Sequence, residues 1–572
     1  MTRRIRGLTG WLALAALALP LPVAAQEGAP DAGAYLAARA AGQAGDFTAA
    51  ATYFTRALRD DPANPVLLEN AMAAWLGLGQ TSTAVDLARL MQDAGYQSQI
   101  AAMLAMVGAA QEGDWSAVLS APSQGLTVGP LIDALALAWA HAGNGDMTMA
   151  LAAFDAVIAT RGMMAFGLYH KALALAAAGD FEGADQILSL SPEEGMQRTR
   201  RAVLAHAQVL SQLSRNADAV ALIDASFPGA LDPALAQLRL RLAAGEPLPW
   251  TFVQDAGQGL SEVYYGVGIT LRGEVDDASV LFHARAAQAL NPDHTDAQLL
   301  VAQMLDRLEQ YDLAQAAYAA VPPEDPSHVI AELGRAESLR RAGSPEVAIE
   351  VLGTLARAYP ELAAVQTTLG DMQRRLRRDA EANAAYSRAL ELYPAGDPAL
   401  VHVHYVRGIT YFRLDDWPAA EADFRAALAI NPDRPDVLNF LGYSLVERGE
   451  RLEEALAMIE TAVRAEPQNG AIVDSLGWAL FRLGRHAEAV PHMERASALL
   501  PTDPVINDHL GDVYWAVGRL REAQFQWSRA LSFAPEDPEA ARIRRKIEVG
   551  LDAVLAEEGA PPLGAVAAGA QD

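Results

Sequence analysis

Between Val401 and Pro535 the apolar residues recur at helical spacing, in short bouts separated by polar breaks. Ile472, Leu476, Ala479 and Leu480 share one helical face. After the break Leu483-Gly484-Arg485-His486 a second run brings Ala489, Met493 and Ala496 onto another face. The pattern predicts two helices per unit, and the unit is written four times. Gly408, Gly442, Gly477 and Gly511 mark one phase, at intervals of 34, 35 and 34 residues. Ala420, Ala455, Ala489 and Ala523 mark a second, Phe424, Ile459, Met493 and Trp527 a third, and Ala427, Ala462, Ala496 and Ala530 a fourth. Pro432, Pro467, Pro501 and Pro535 close the units. A fixed period of this length predicts an all-α architecture of stacked helix pairs.

Each phase has a physical reason. Glycine in a helix interior costs about 1 kcal/mol relative to alanine, so its regular return calls for compensation, which close approach of the partner helix supplies. The alanines let that helix come near, and the bulky residue four positions after the first alanine fills the space beside them. The closing proline cannot continue a helix and turns the chain into the next unit.

The same phases extend outward. Ala38, Gly45, Ala50, Phe54, Ala57 and Pro62 fit a first unit, and Trp75, Gly79 and Ala84 a second. After about residue 97 helix pairs persist, around Trp115, Ala150, Phe154 and Gly179-Asp180-Phe181, but the phases blur; residues 34–227 read as an N-terminal array. Residues 228–260, with SFPGALDP and AAGEPLPWTFVQDAGQG, read as an irregular connector around one helix at 233–244. There Trp250 and Phe252 stand outside the period: they either plug the end of a helical stack or form a binding loop at a bend. A middle array spans 261–394, with Ala278, Phe282, Ala314, Tyr318, Gly370, Ala382 and Tyr386 in phase, and the well-formed array follows at 395–535. Residues 536–558 are expected as one capping helix with Arg542, Arg544, Arg545 and Lys546 on its solvated face. Residues 559–572 are expected as a disordered tail.

Arg3, Arg4 and Arg6, the apolar run Leu8–Leu19 and the small residues Val23-Ala24-Ala25 read as an export signal over 1–25, followed by a linker at 26–33. The competing reading, an uncleaved anchor, meets a run short for spanning a bilayer. The formal net charge of −27 argues against binding nucleic acid or an anionic membrane surface. There are no cysteines, which excludes disulfides, thiolate metal sites and lipid attachment at an N-terminal cysteine. The expectation is a soluble, periplasmic protein.

DSLGWALFRLGRHAEAVPHMERASALLP and DHLGDVYWAVGRLREAQFQWSRALSFAP resemble the tetratricopeptide repeat (TPR). That resemblance implies an α-solenoid superhelix whose concave wall is lined by the first helix of each pair. Carried onto this chain, the wall comprises Asn439, Tyr443, Asp474, Trp478, Arg482, Asp508, Asp512 and Trp515. The Lys, Arg and Asn clamp by which some such proteins hold a peptide carboxylate is not matched: Asp474, Asp508 and Asp512 stand there instead, which suits a basic or polar ligand. The last third also resembles exported TPR proteins of Gram-negative bacteria, one branch of which contains a lipoprotein adaptor for a C-terminal processing protease.

No HExxH, G-x-x-x-x-G-K, GxSxG or strand-linked GxGxxG occurs. His402 and His404, two apart, do not share a helical face. No catalytic, cofactor or metal residue is assigned. The reading is a non-enzymatic scaffold or adaptor of the bacterial envelope, holding a protein or peptide partner such as a protease in the concave groove. The alternative is an accessory factor for envelope assembly, secretion or polysaccharide export. An enzyme with a site near 228–260 is the remote third.

Overall fold

The computed structural model describes residues 32–227, 231–560 and 563. The expected signal at 1–25 and nearly all of the linker and tail lie outside the described residues. Among the described residues the chain is helical from Ala32 to Glu557, with no β-strand. It forms two compact units, Met1–Ser338 and Leu339–Asp572, the division falling inside the expected middle array.

In the first unit, consecutive helices pair through a recurring turn. Gly45, Gly113, Gly145 and Gly179 sit at positive φ, where glycine pays no steric cost. The aspartate after each of them accepts a hydrogen bond from the N–H three residues on, capping the second helix of the pair. The dipeptide Gly-Asp thus ends one helix and starts the next.

The connector does more than link two arrays. Helix Pro233–Ala243 forms as expected, and residues 244–255 run without regular structure along helix Arg200–Gln212. Ser211 Oγ accepts from Leu248 N–H at 2.8 Å, and Gln208 and Thr251 bond each other twice. The chain then turns back. Helix Ala256–Leu271 packs on helices Pro130–Gly143 and Met164–Ala177, and helix Asp277–Leu290 packs on Pro65–Gly77 and Gln99–Glu112. Gly259 lies so close to Trp139 that a Cβ there would stand 2.3 Å from the indole. Tyr264, fully buried, points its hydroxyl at Met106 Sδ, 3.7 Å away. Arg285 donates to the Gly77 carbonyl and Gln111 to that of Ala289. The inner face of the N-terminal repeats is therefore filled by the chain's own helices, whereas simple stacking leaves it open.

The second unit keeps the predicted repeat. The alanines and bulky residues that mark the repeat phases, from Ala420, Phe424 and Ala427 to Ala523, Trp527 and Ala530, are fully buried. A Cβ on Gly408, Gly442, Gly477 or Gly511 would stand 2.3–2.7 Å from Phe424, Ile459, Met493 or Trp527 respectively. The end of the chain differs from expectation. Residues 536–558 form two helices, Asp537–Val549 and Leu551–Glu557, broken at Gly550. Lys546 has no exposed surface, so the basic cluster is not one solvated face.

Candidate partner-binding face

Three successive first helices, Pro435–Arg448, Gly470–Arg482 and Pro504–Ala516, carry the eight predicted wall residues. Their side chains do not stand free in a row. They interlock from one helix to the next, in two clusters.

The first cluster joins the first two helices to His509. Trp478, only 8% exposed, is sandwiched between Phe481 and His509, with ring centroids 4.8 and 3.9 Å away. Its Nε1–H donates to Glu447, whose carboxylate also lies 3.5 Å from Arg482 Nη1. Asp474 is buried and faces His509 Nδ1 at 3.1 Å. Burial alone would lower the His509 pKa; Asp474, with Asp508 and Asp512 behind it, outweighs that and raises it. Asn439 and Tyr443 lie half-buried on the preceding helix. Burial, with Glu447 and Asp474 nearby, raises the Tyr443 phenol pKa, and Asn439 Oδ1 has no hydrogen-bond partner.

The second cluster is closed by the terminal helices. Lys546 Nζ lies 2.8 Å from Asp508 and 2.7 Å from Asp512, and Asp512 also accepts from Trp527 Nε1–H at 2.9 Å. Trp515 donates to Asp552 at 2.8 Å. Gly550 lies against its indole: a Cβ would come within 2.4 Å, and its φ is +85°. The three aspartates expected to face a basic or polar ligand are thus engaged by His509 and Lys546 of the protein itself and do not stand free for such a ligand. Among the wall residues Asn439, Tyr443, Arg482, Asp508 and Trp515 keep some solvent access, with Glu447 and its 44% exposed side chain beside them.

The sequence pattern points to none of Glu447, His509 and Asp552, and to Lys546 only as part of a solvated face, although a signal exists. Residues in one phase of successive units meet across adjacent first helices. Glu447 and Arg482, Asp474 and His509, and Asp512 and Lys546 are 35, 35 and 34 residues apart. Opposite charges one period apart could have been paired from the sequence alone.

Near the connector, Phe252 lies under the Arg201 guanidinium, 3.9 Å from the ring centroid, and Trp250 packs on Phe181. A cavity of about 500 Å³ opens there, lined by Arg200, Gln208, Arg241, Phe252, Asp296 and Asp325 among others. Arg200 is held by Asp232 and Asp296, and Arg241 by Glu246. His402 and His404 pair separately with Asp371 and Asp423, and among the described residues no group of side chains is arranged to hold a metal ion.

Stacked helix pairs with glycine, alanine and a bulky residue interlocking at a period of 34–35 define a helical repeat protein. Family models described as Tetratricopeptide repeat match residues 35–83, 333–397 and 447–504, residues 401–434, and residues 480–547. The chain carries tetratricopeptide repeats. A TPR repeat-containing protein of Pseudomonas aeruginosa is 31% identical over 185 residues, which is 32% of this chain and 30% of that one. The peroxisomal targeting signal receptor of Eremothecium gossypii is 27% identical, over 40% of this chain and 39% of its own length. The chain thus spans well under half of these curated relatives. Among solved structures, the APC/C Cut9–Hcn1 hetero-tetramer is 14% identical with a TM-score of 0.37, covering 91% of this chain and 96% of that one. YrrB, described as a TPR protein with an unusual peptide-binding site, is 20% identical with a TM-score of 0.28, covering 34% and 99%.

Proposed function

We propose that this chain is a non-enzymatic scaffold that holds a partner polypeptide on the first-helix face of its second unit. The observation that carries the reading is the row of accessible aromatic and charged groups on helices Pro435–Arg448 and Gly470–Arg482: Tyr443, Glu447 and Arg482, set over the stacked Trp478. Tyrosine and arginine bring large contact area and directional donors, the side chains that dominate protein interfaces. The leader-like first 25 residues support placing this scaffold in the bacterial envelope, serving a processing protease as adaptor or an assembly or secretion complex as accessory factor.

A photo-crosslinking residue placed at Tyr443 or Arg482 in intact cells tests this against one at Phe525, 65% exposed on the second helix of its unit. Adducts to one discrete polypeptide are expected from the first two sites and not from the third. Arg482→Glu should suppress the Tyr443 adduct without altering the unfolding midpoint. Equal labelling from all three positions, or none from any, would sink the proposal, and the identity of the adduct separates protease from assembly complex.

A further inference from the structure

Where helix Ala256–Leu271 fills the inner face of the N-terminal repeats, it leaves a second cavity, of about 390 Å³. The walls are Phe166, Tyr169, Tyr265 and Ile269; the floor is His170 and Glu262, both almost fully buried. Gln197, Thr199 and Thr270, all exposed, stand at the mouth. The volume and the mostly apolar lining with a few fixed polar groups are those of a ligand site.

Two details indicate that this space is kept rather than left over. Gly266 lies inside the helix with nothing within 4 Å of where a Cβ would be, while Gly259 on the same helix abuts Trp139 at 2.3 Å. Close packing therefore explains Gly259 and not Gly266, which costs helix stability and opens the cavity. The second detail is His170. Trp139 Nε1–H donates to its Nδ1 at 3.2 Å. An indole nitrogen can only donate, so Nδ1 is bare and the neutral ring carries its proton on Nε2. Burial keeps the ring neutral, with its pKa pulled down to about 3. That leaves one N–H donor on the cavity floor without an acceptor from the protein.

Each charged group around the cavity already has a partner. Arg201 pairs with Glu262 and with Asp296 at 2.6 Å, and Arg200 with Asp232. Tyr169 donates to Glu262 at 3.2 Å. These are two arginines and three carboxylates, each already engaged, so a charged ligand would have to break one of these pairs to gain its own.

We propose that this cavity binds a neutral aromatic group bearing a carbonyl that accepts from His170 Nε2–H, as in an aromatic amide or an aromatic residue within a peptide. The site lies in the first unit and does not depend on the face of the second. With the full chain, the neutral probe N-phenyl-1-naphthylamine should gain fluorescence saturably. N-acetyl-phenylalaninamide should displace it at least about tenfold better than 3-phenylpropionate, which is charged, or N-acetyl-glycinamide, which lacks the ring. A heptapeptide with a central Phe at least tenfold tighter than the amide assigns the site to a partner segment, and equal affinity assigns it to a free small molecule. Gly266→Leu should weaken the probe at least tenfold with an unchanged or higher unfolding midpoint. A lower midpoint would mean that the space is not there. Unchanged probe binding in that variant, or no saturable binding in the parent chain, overturns the proposal.

Discussion

At the scale of single residues, the repeat is a rule about where a methyl group does not fit. Gly511 and Gly266 occupy equivalent settings in the sequence, each inside a helix with apolar neighbours. In the structure they have opposite surroundings, with Trp527 2.4 Å from one absent Cβ and open space around the other. Gly511→Ala gains about 1 kcal/mol of helix propensity but overpacks by about 1–3 kcal/mol and displaces the indole that donates to Asp512. A net loss of about 1–2 kcal/mol is expected. Gly266→Ala meets no obstacle and should stabilise by up to about 1 kcal/mol. Urea titrations of the two variants should move the midpoint in opposite directions, and a shared sign would show that propensity alone governs these positions.

At the scale of elements, what was legible in the sequence depended on how far apart the contacting residues are. The pairing of Gly408 with Phe424, or Gly511 with Trp527, is settled within one unit and repeats, so it left a period to read. Gly259 against Trp139, and Arg285 on the Gly77 carbonyl, join residues more than a hundred positions apart, once each. A single long-range contact leaves no periodic trace, and the return of helices Ala256–Leu271 and Asp277–Leu290 was therefore not foreseen. The eight expected wall residues fall on three successive first helices, but Asp474, Trp478 and Asp512 are buried there, because a first helix touches the next first helix as well as solvent. The terminal helices show the cost of reading charge without partners. The charge pattern places Lys546 on a solvated face, yet it is one of only two lysines in the chain and ties helix Asp537–Val549 to Asp508 and Asp512. Removing one member of a buried ion pair typically costs about 3–5 kcal/mol. Lys546→Met should accordingly raise amide hydrogen exchange across residues 504–557, whereas Arg544→Ala, at an exposed position, should leave it unchanged. Adding Asp508→Asn and Asp512→Asn to Lys546→Met should recover part of the protection, since the orphaned charges are then gone. Without such recovery the lysine acts through packing of its stem.

At the scale of the whole molecule, the histidines make the two units answer differently to pH. In the first unit His170, His206, His283 and His294 are all lowered, with burial the leading cause in each, and His170 and His294 are brought to about 3. Arg201 adds to the lowering at His294, against Asp296. On acidification below about 6.5 the unfolded chain takes up protons that these folded rings refuse, so stability falls, by at most about 1.4 kcal/mol per pH unit for each fully buried ring. The second unit carries shifts of both signs. His486 and His492, half-exposed and lowered by burial, act in the same sense. His509 acts oppositely: its raised pKa gives stability that is complete below about 6.5 and is lost as pH rises through the folded value. Carboxylates held low by their partners, such as Asp185 and Asp296, respond only below about pH 4, whereas Asp512, raised by burial against the pull of Lys546, acts in the same sense as His509. Going from pH 8 to pH 5 should therefore loosen residues 32–338 while changing residues 339–560 little. Hydrogen exchange corrected for intrinsic rates, read separately over the two stretches, checks this. His509→Gln should destabilise the second unit more at pH 5 than at pH 8, because the interaction it removes exists only while the ring is charged. Equal destabilisation at both pH values would mean that Trp478 stacking, and not the charge on His509 facing Asp474, is what that side chain contributes.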